Sequence, residues 1–598
     1  MSHSHARPRR ARSVRSRRRI AVWVCCGVVL MILVSVAWVG VRALMAKAEL
    51  ESAIPLASAV QDSVISGDSN AAGSTADRLV QHAARATALT SDPIWRAFEA
   101  IPGLGQNLSA VRQVAAVVED IANDAVIPLT EAAGSIDIEG FKPTDGAIDV
   151  KPLVDAQPSV TLAADALSQA QEDIAMIDSS DSISGVRDAV GQLRSAVDGA
   201  ALSIDSVDRA VRILPAILGV AGPRDYLVLF QNPAELRATG GISGAVALLH
   251  TDGGQISMTQ QVSSAEFDHY DAPVLALPTE TRGIYGDITG RFIQDVNLTP
   301  NFVQSAELAQ EMWRLQFGQE VSGVLSIDPV ALSYLLRATG PITLPTGDVM
   351  SSDNAVQLLL SDVYARYPET DEQDAFFAAA AASVFSAVAG GDAEPIALVE
   401  ALARAGSEHR VLVWSSDDAE QSVLADTTLA GGLPLSTEDT ERFGVYFNDA
   451  TGAKMGPFLD VQTAVGQATC RDDRRPNYAV EVTLTNTAPV DAATSLPGYV
   501  TAEGNFGVPM GSVKTIISVY GAPNMENLGL ARDGVDVGYH PALDATYPVS
   551  NVGIELSPGE TTTIRFNWLG AAAFDGDLAL HMTPLIHMNE TQKLEITC

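Results

Sequence analysis

The run richest in chemistry is Gln231-Asn232-Pro233-Ala234-Glu235-Leu236-Arg237-Ala238-Thr239-Gly240-Gly241, which follows directly on the apolar stretch Tyr226-Leu227-Val228-Leu229-Phe230. Polar groups at the end of a buried strand commonly build sites. Arg237 carries a planar fork that can grip a phosphate or carboxylate through two hydrogen bonds. The backbone of Thr239, Gly240 and Gly241 can add amide donors, because glycine lets a ligand approach closely. The plainer reading pairs Arg237 with Glu235 or another neighbour and leaves the glycines to make a turn. Both readings predict a polar turn after Phe230.

Other chemistries fare less well. His581 and His587 stand six apart in what reads as sheet, and the chain has neither a Cys-x-x-Cys nor a His-Glu-x-x-His pair, so no metal site and no cofactor are expected. Gly241-Ile242-Ser243-Gly244-Ala245 approaches the nucleophile-elbow pattern but lacks its last glycine, so Ser243 reads as a turn or strand residue. No phosphate-binding loop of the P-loop type occurs.

The elements that position these residues are of three kinds. Strands at 226–230 and 245–249, a hairpin at Asp252-Gly253-Gly254 leading into 255–261, a short strand at 324–327 and helices at 329–338, 352–367 and 375–389 predict an α/β domain with a mixed sheet over 221–469. Downstream, Tyr478, Val480, Val482 and Leu484 alternate with polar or small residues, as do Ile564, Phe566 and Trp568, which predicts a β-sandwich over 470–598. Upstream, residues 42–220 read as a helical bundle. Apolar residues recur by threes and fours from Val160 to Ile177 and again from Ile183 to Leu214, flanking the turn Asp178-Ser179-Ser180-Asp181. Asp92-Pro93 marks a helix start, and 135–152 reads as a loop. Such a bundle suits a stalk, although a ligand-sensing bundle has the same periodicity.

Residues 20–41 are uncharged and long enough to span a bilayer. The 19 residues before them hold eight arginines and no acid, so this tail is expected in the cytoplasm and everything after Val41 outside. A cleaved signal peptide is the rival, since Ala46-Lys47-Ala48 suits a signal peptidase, but the apolar run is longer than such peptides carry. The chain as a whole carries −35 and residues 20–598 carry −43, which excludes nucleic acid as a partner. Beyond the span the only cysteines are Cys470 and Cys598. An even pair outside the cytoplasm is most simply a disulfide, with two free thiols as the alternative.

Four runs carry a family resemblance: residues 226–241, Gly323-Val324-Leu325-Ser326-Ile327-Asp328-Pro329, Thr339-Gly340-Pro341-Ile342 and Asn448-Asp449-Ala450-Thr451-Gly452-Ala453-Lys454. Together with Asp92-Pro93-Ile94-Trp95 and the two late cysteines, they resemble the family called domain of unknown function 4012, whose function is unassigned. A fainter similarity is to the LytR-CpsA-Psr family, which transfers envelope glycopolymers from a polyprenyl-pyrophosphate carrier. Residues 226–237 resemble its first strand and arginine loop, 324–342 its Val-Asp, helix and Gly-Gly-Val segment, and Tyr364-Ala365-Arg366-Tyr367 before Asp371 its tyrosine–arginine stretch. That resemblance implies Arg237 and Arg366 on pyrophosphate and Asp328 or Asp371 on a divalent cation. The chain departs from it at Thr239-Gly240-Gly241, where the family has Arg-x-Asp, and at Glu372, Gln373 and Asp374, where it has arginines. Phosphoryl chemistry needs several cations. The expectation is therefore a non-enzymatic, single-pass envelope protein that binds or scaffolds a wall polymer or surface protein, with the transferase or a hydrolase as the alternative.

Overall fold

The computed structural model describes residues 13–65, 68–134, 142, 143, 146–425 and 427–598. The expected tail lies outside them up to residue 12, as does part of the loop expected at 135–152. The chain forms two compact units, one drawn from residues 1–137 and 151–214, the other from 138–150 and 215–598.

The first unit is helical. Helix α1 (Ser13–Ile65) takes in the last residues of the expected tail and the whole apolar stretch, and it continues without a break through Pro55. It is long and apolar enough to cross a membrane, and its large side chains from Val22 to Val36 are uncovered, which is consistent with an anchor. Alanines let α2 (Ser69–Thr90) approach it closely: Ala46 and Ala53 of α1 and Ala72, Ala76, Ala83 and Ala86 of α2 are buried. Helix α3 (Pro93–Glu99) starts as expected, with Asp92 accepting the N–H groups of Ile94 and Trp95 and Pro93 in the first turn. Helix α4 (Gly105–Ile121) passes through a π turn at Ala122–Val126 into α5 (Ile127–Ala133), where Pro128 has no N–H to continue the ordinary ladder.

Helices α6 (Lys151–Ala175) and α7 (Ser184–Ile217) run antiparallel, because Gln171 bonds Asp198 while Thr161 bonds Asp208. The seam expected along α6 is buried at every position from Val160 to Ile177. Of the seam expected from Ile183 to Leu214, only Val190, Val197 and Val211 are buried, whereas Ile183, Val207 and Leu214 are exposed. Val190 and Val197 of one row pack with α4 and α6, and in the second row Val186 and Leu193 are partly buried against the same cluster while Val207 and Leu214 are not.

The second unit combines one mixed sheet with two others. Strands β1 (Arg224–Arg237), β2 (Gly240–Asp252), β3 (Gln255–Ser263) and β4 (Gly323–Ile327), a small hairpin of β5 (Ile342–Thr343) and β6 (Val349–Met350), and β7 (Val411–Ser415) precede residue 440. The mixed sheet has the order β3-β2-β1-β4-β7, with β1 parallel to β4 and the other neighbours antiparallel. The helix Phe302–Phe317 packs on one face through Phe302, Met312 and Trp313, and the helix Pro329–Thr339 follows β4 as expected.

The remaining strands are β8 (Thr440–Asp449), β9 (Leu459–Ala468), β10 (Asn477–Asn486), β11 (Val513–Tyr520), β12 (Glu526–Arg532), β13 (Val535–Asp536), β14 (His540–Asp544), β15 (Tyr547–Leu556), β16 (Thr561–Leu569), β17 (Asp577–Met582) and β18 (Gln592–Lys593). They form sheets of order β13-β12-β16-β10-β9-β18 and β14-β15-β11-β8-β17. The two share one core, in which Tyr478, Val480, Val482, Leu484, Ile564, Phe566 and Trp568 meet Phe443, Phe447, Ile517 and Ile554. Because β8 and β9 belong to these sheets, the sheet pair begins at Thr440, and a boundary at 469/470 cuts through it. Cys470 and Cys598 are bonded, with Cα atoms 5.3 Å apart, while Cys25 and Cys26 are free.

Candidate functional site

The polar run after Phe230 is strand rather than turn. β1 continues to Arg237 and pairs with β2 throughout, with register breaks at Phe230/Gln231 and between Asn232 and Leu236. The second break leaves residues 233–235 as a bulge, which suits Pro233 because a bulge makes no demand on its missing N–H. The Asn232 side chain closes the bulge by accepting the Ala234 N–H at 3.0 Å. Only Ala238 and Thr239 remain for the hairpin turn. Gly240 adopts φ +144°, and a Cβ there would stand 2.2 Å from Gln231 Oε1; at Gly241 it would stand 2.1 Å from the Asn232 carbonyl. Both glycines therefore serve close approach within the hairpin. The Thr239 hydroxyl accepts from Gln231 Nε2 at 3.0 Å, and the Gly241 carbonyl accepts from Asn297 Nδ2 at 2.7 Å.

Arg237 donates to Asp295 at 3.0 Å and to the Leu236 carbonyl at 3.0 Å, while its Nε is buried without a partner. Glu235 faces elsewhere and pairs with Lys454. These four side chains are 11–15% exposed, too little for water to screen the pairs fully. Lys454 Nζ also lies 5.1 Å from the ring centres of both Tyr364 and Tyr499, a cation held between two aromatic faces. Asn232 Nδ2 donates to the Tyr364 hydroxyl. Asp449 completes the group and accepts the N–H of Thr451 at 3.1 Å and of Gly452 at 2.8 Å.

The electrostatics follow from burial and sign. Burial alone would raise the Glu235 carboxyl, but the Lys454 ammonium outweighs it and the pKa falls below the ordinary glutamate value. Burial wins at Asp295 despite Arg237, and again at Asp449 despite the bond from Thr451, so both carboxyls are raised. Burial likewise pushes the Tyr364 hydroxyl up to about 12. Three carboxyls thus surround two cations. An added anion would meet acids already matched to those cations.

The other candidates are placed apart. Asp328 is fully buried as the N-cap of the helix Pro329–Thr339, accepting the Ala331 N–H and an Arg410 donor, each at 2.7 Å. Arg410 is equally buried and also donates to Glu408 at 2.7 Å and to the Leu585 carbonyl at 2.6 Å. Arg366 is exposed and pairs with Asp348 at 2.7 Å. Its helix, Val363–Arg366, reaches the β1 bulge through Tyr364 instead. Asp371 lies exposed in the first turn of the helix Thr370–Ala389. Ser243 is a buried β2 residue whose hydroxyl has no partner among the described residues. Among the described residues, no three His, Cys, Asp or Glu side chains are grouped to hold a metal ion.

Sequence reasoning missed Lys454, Asp295, Asp449, Tyr499 and Arg410. One signal was present: Lys454 is the only cation in the run 448–454, which stood out beside 226–241. The structure joins these two runs directly, through Glu235 with Lys454 and through the Ala238 N–H donated to Asn448 Oδ1 at 3.1 Å. No curated protein and no solved structure matches the chain. Residues 221–364, from just before β1 through Tyr364, match the family model described as protein of unknown function (DUF4012), so the family resemblance read from the sequence is shown for this part of the chain.

Proposed function

We propose that the chain is a single-pass, membrane-anchored extracytoplasmic protein of the cell envelope that binds or scaffolds a wall component or surface partner and turns nothing over. The observation that carries this reading is the internal matching of cations: Arg237 with Asp295, Lys454 with Glu235, Arg410 with Asp328 and Arg366 with Asp348. A site for pyrophosphate transfer needs cations free to take up charge developing on phosphoryl oxygens. Here each is committed to a carboxylate. The uncovered apolar helix and the arginines before it support an anchor whose tail stays in the cytoplasm.

Two measurements on the full-length protein test the reading. Protease added to right-side-out vesicles should remove an epitope near Cys598 and spare a tag at Met1; protection of the C-terminal epitope overturns the orientation. The protein should co-sediment with isolated cell-wall material or cross-link to a surface protein without consuming a polyprenyl-pyrophosphate-linked glycan. Turnover of that substrate, lost in Arg237→Ala, would establish the transferase instead.

A further inference from the structure

The end of the helical unit that carries the anchor holds exposed apolar side chains among the described residues. Helices α1 and α2 are antiparallel: Glu49 meets His82 at 2.6 Å, and Arg42 donates to the Ala88 and Leu89 carbonyls and to Asp92. The chain thus returns along α1 toward the apolar stretch and reaches Arg42 as α2 ends. It then goes further. Trp95 of α3 and Leu108 of α4 bury Val39, a residue inside the stretch 20–41, and the Trp95 indole donates to the Leu108 carbonyl at 3.1 Å. Whatever surrounds Val39 on the other faces of α1 therefore also surrounds α3.

Arg42 does not prevent this depth, since Asp92 neutralises it and its guanidinium lies 4.9 Å from the Trp38 ring centre. Beyond it Leu44 and Met45 are still uncovered, and the next cation along α1 is the exposed Lys47. The turn from α3 to α4 is tight, with Gly105 N–H bonded to the Ile101 carbonyl at 2.8 Å and Arg112 bonded to Glu99 at 2.7 Å. Helix α3 nevertheless presents Ile94, and the turn Ile101 and Leu104, at 39%, 42% and 44% exposure. The α6–α7 turn joins the same end, because Asn107 accepts the Ile183 N–H at 2.8 Å and donates to the Gly103 carbonyl at 3.1 Å. It adds Met176 and Ile183 at 69% and 66%.

We infer that the α3–α4 turn is a foot embedded in the interfacial zone of the bilayer leaflet at the C-terminal end of the span, with Ile94, Ile101 and Leu104 taken up by lipid. The inference rests on the anchor reading above. Continuity with the span selects lipid as the occupant, because α3 already shields a span residue. Apolar insertion has to supply the attraction, since the −43 charge of residues 20–598 opposes anionic headgroups. The neighbouring α6–α7 turn sits shallower, kept at headgroup level by Asp178 and Asp181, with Ile183 at the lipid boundary.

The test uses the full-length protein in vesicles of phosphatidylethanolamine and phosphatidylglycerol. An environment-sensitive fluorophore is placed at Leu104→Cys, or at Ile101→Cys if the first change lowers the melting temperature, with Cys25 and Cys26 replaced by serine. Leu202→Cys, exposed in the middle of α7, is the water reference, and the protein labelled at native Cys25 and Cys26 is the span reference. The foot label should be quenched several-fold more by nitroxide lipids, and several-fold less by aqueous iodide, than the Leu202 label. A foot label reached by iodide as freely as that at Leu202 overturns the inference, as does one reached by neither quencher, which would place a protein partner there. Failure of nitroxide lipids to quench the Cys25 and Cys26 labels would instead overturn the anchor reading itself.

Discussion

The two units bury polar chemistry in opposite ways. In the helical unit the core is built mainly of alanine, valine and leucine, with Ile174, Ile177 and Trp95, and ion pairs such as Arg112 with Glu99 keep part of each side chain in water. In the sheet unit, carboxylates and cations are taken out of water where the mixed sheet meets the sheet pair, with Asp328 against Arg410 and the Glu235, Lys454, Arg237 and Asp295 group at the end of β1. Helices that touch through alanine need only matching shape. Segments 82 and 219 residues apart, as Arg410 is from Asp328 and Lys454 from Glu235, are held in one arrangement by buried charges of opposite sign. The same kind of substitution should therefore have very different consequences in the two units.

The largest difference is expected at Arg410. Arg410→Met strands a buried Asp328 and removes the donor to Leu585, and should lower the unfolding free energy by about 3–5 kcal/mol. Arg112→Met in the helical unit should lower it by about 0–1 kcal/mol. Urea titration of both proteins measures the contrast, and equal costs would break it. Removing the bridge by Cys470→Ser should cost about 2–4 kcal/mol, since the cross-link closes a long loop. Non-reducing peptide mapping of the parent should recover Cys470 joined to Cys598.

A smaller effect depends on pH. Burial, with His409 and Arg442 nearby, lowers the His581 pKa to about 3. The ring also lies 4.1 Å from His409, centre to centre, and within 3.3 Å of the Tyr446 hydroxyl. Below about pH 6.5 the unfolded chain takes up this proton and the folded chain does not, so stability falls as the pH drops from 6.5 toward 3. Roughly 2 kcal/mol should be lost by pH 5, and His581→Gln should flatten that slope. An unchanged slope would show that other groups govern acid unfolding. The smallest effect is at the exposed pair: Arg366→Ala should change stability by about 0–1 kcal/mol, and a larger loss would show that Arg366 carries more than its bond to Asp348.

What the sequence made legible was local. The buried strand after Arg224, the alternation in β10 and β16, the cap at Asp92-Pro93 and the turn at 178–181 all depend on neighbours in the chain. The boundary at 470 did not, because β8 looks like any apolar strand until it pairs with β11 and β17, more than sixty residues later. Arg237 was legible as a cation worth attention. Its partner Asp295 was not, since 58 residues and several turns separate them. Glu235 stood two residues away and looked like the natural partner, since residues two apart in a regular strand share a face, but the bulge at 233–235 breaks that alternation and Glu235 pairs with Lys454 instead.

Arg237 acts as a strut between β1 and Asp295 rather than as a hand for phosphate. Thermal unfolding of the full-length protein and of Arg237→Ala, each titrated with geranyl pyrophosphate, tests it most directly. Arg237→Ala should melt lower than the parent, and the pyrophosphate should leave both melting temperatures unchanged. A rise in the parent's melting temperature with ligand, missing in Arg237→Ala, would contradict it.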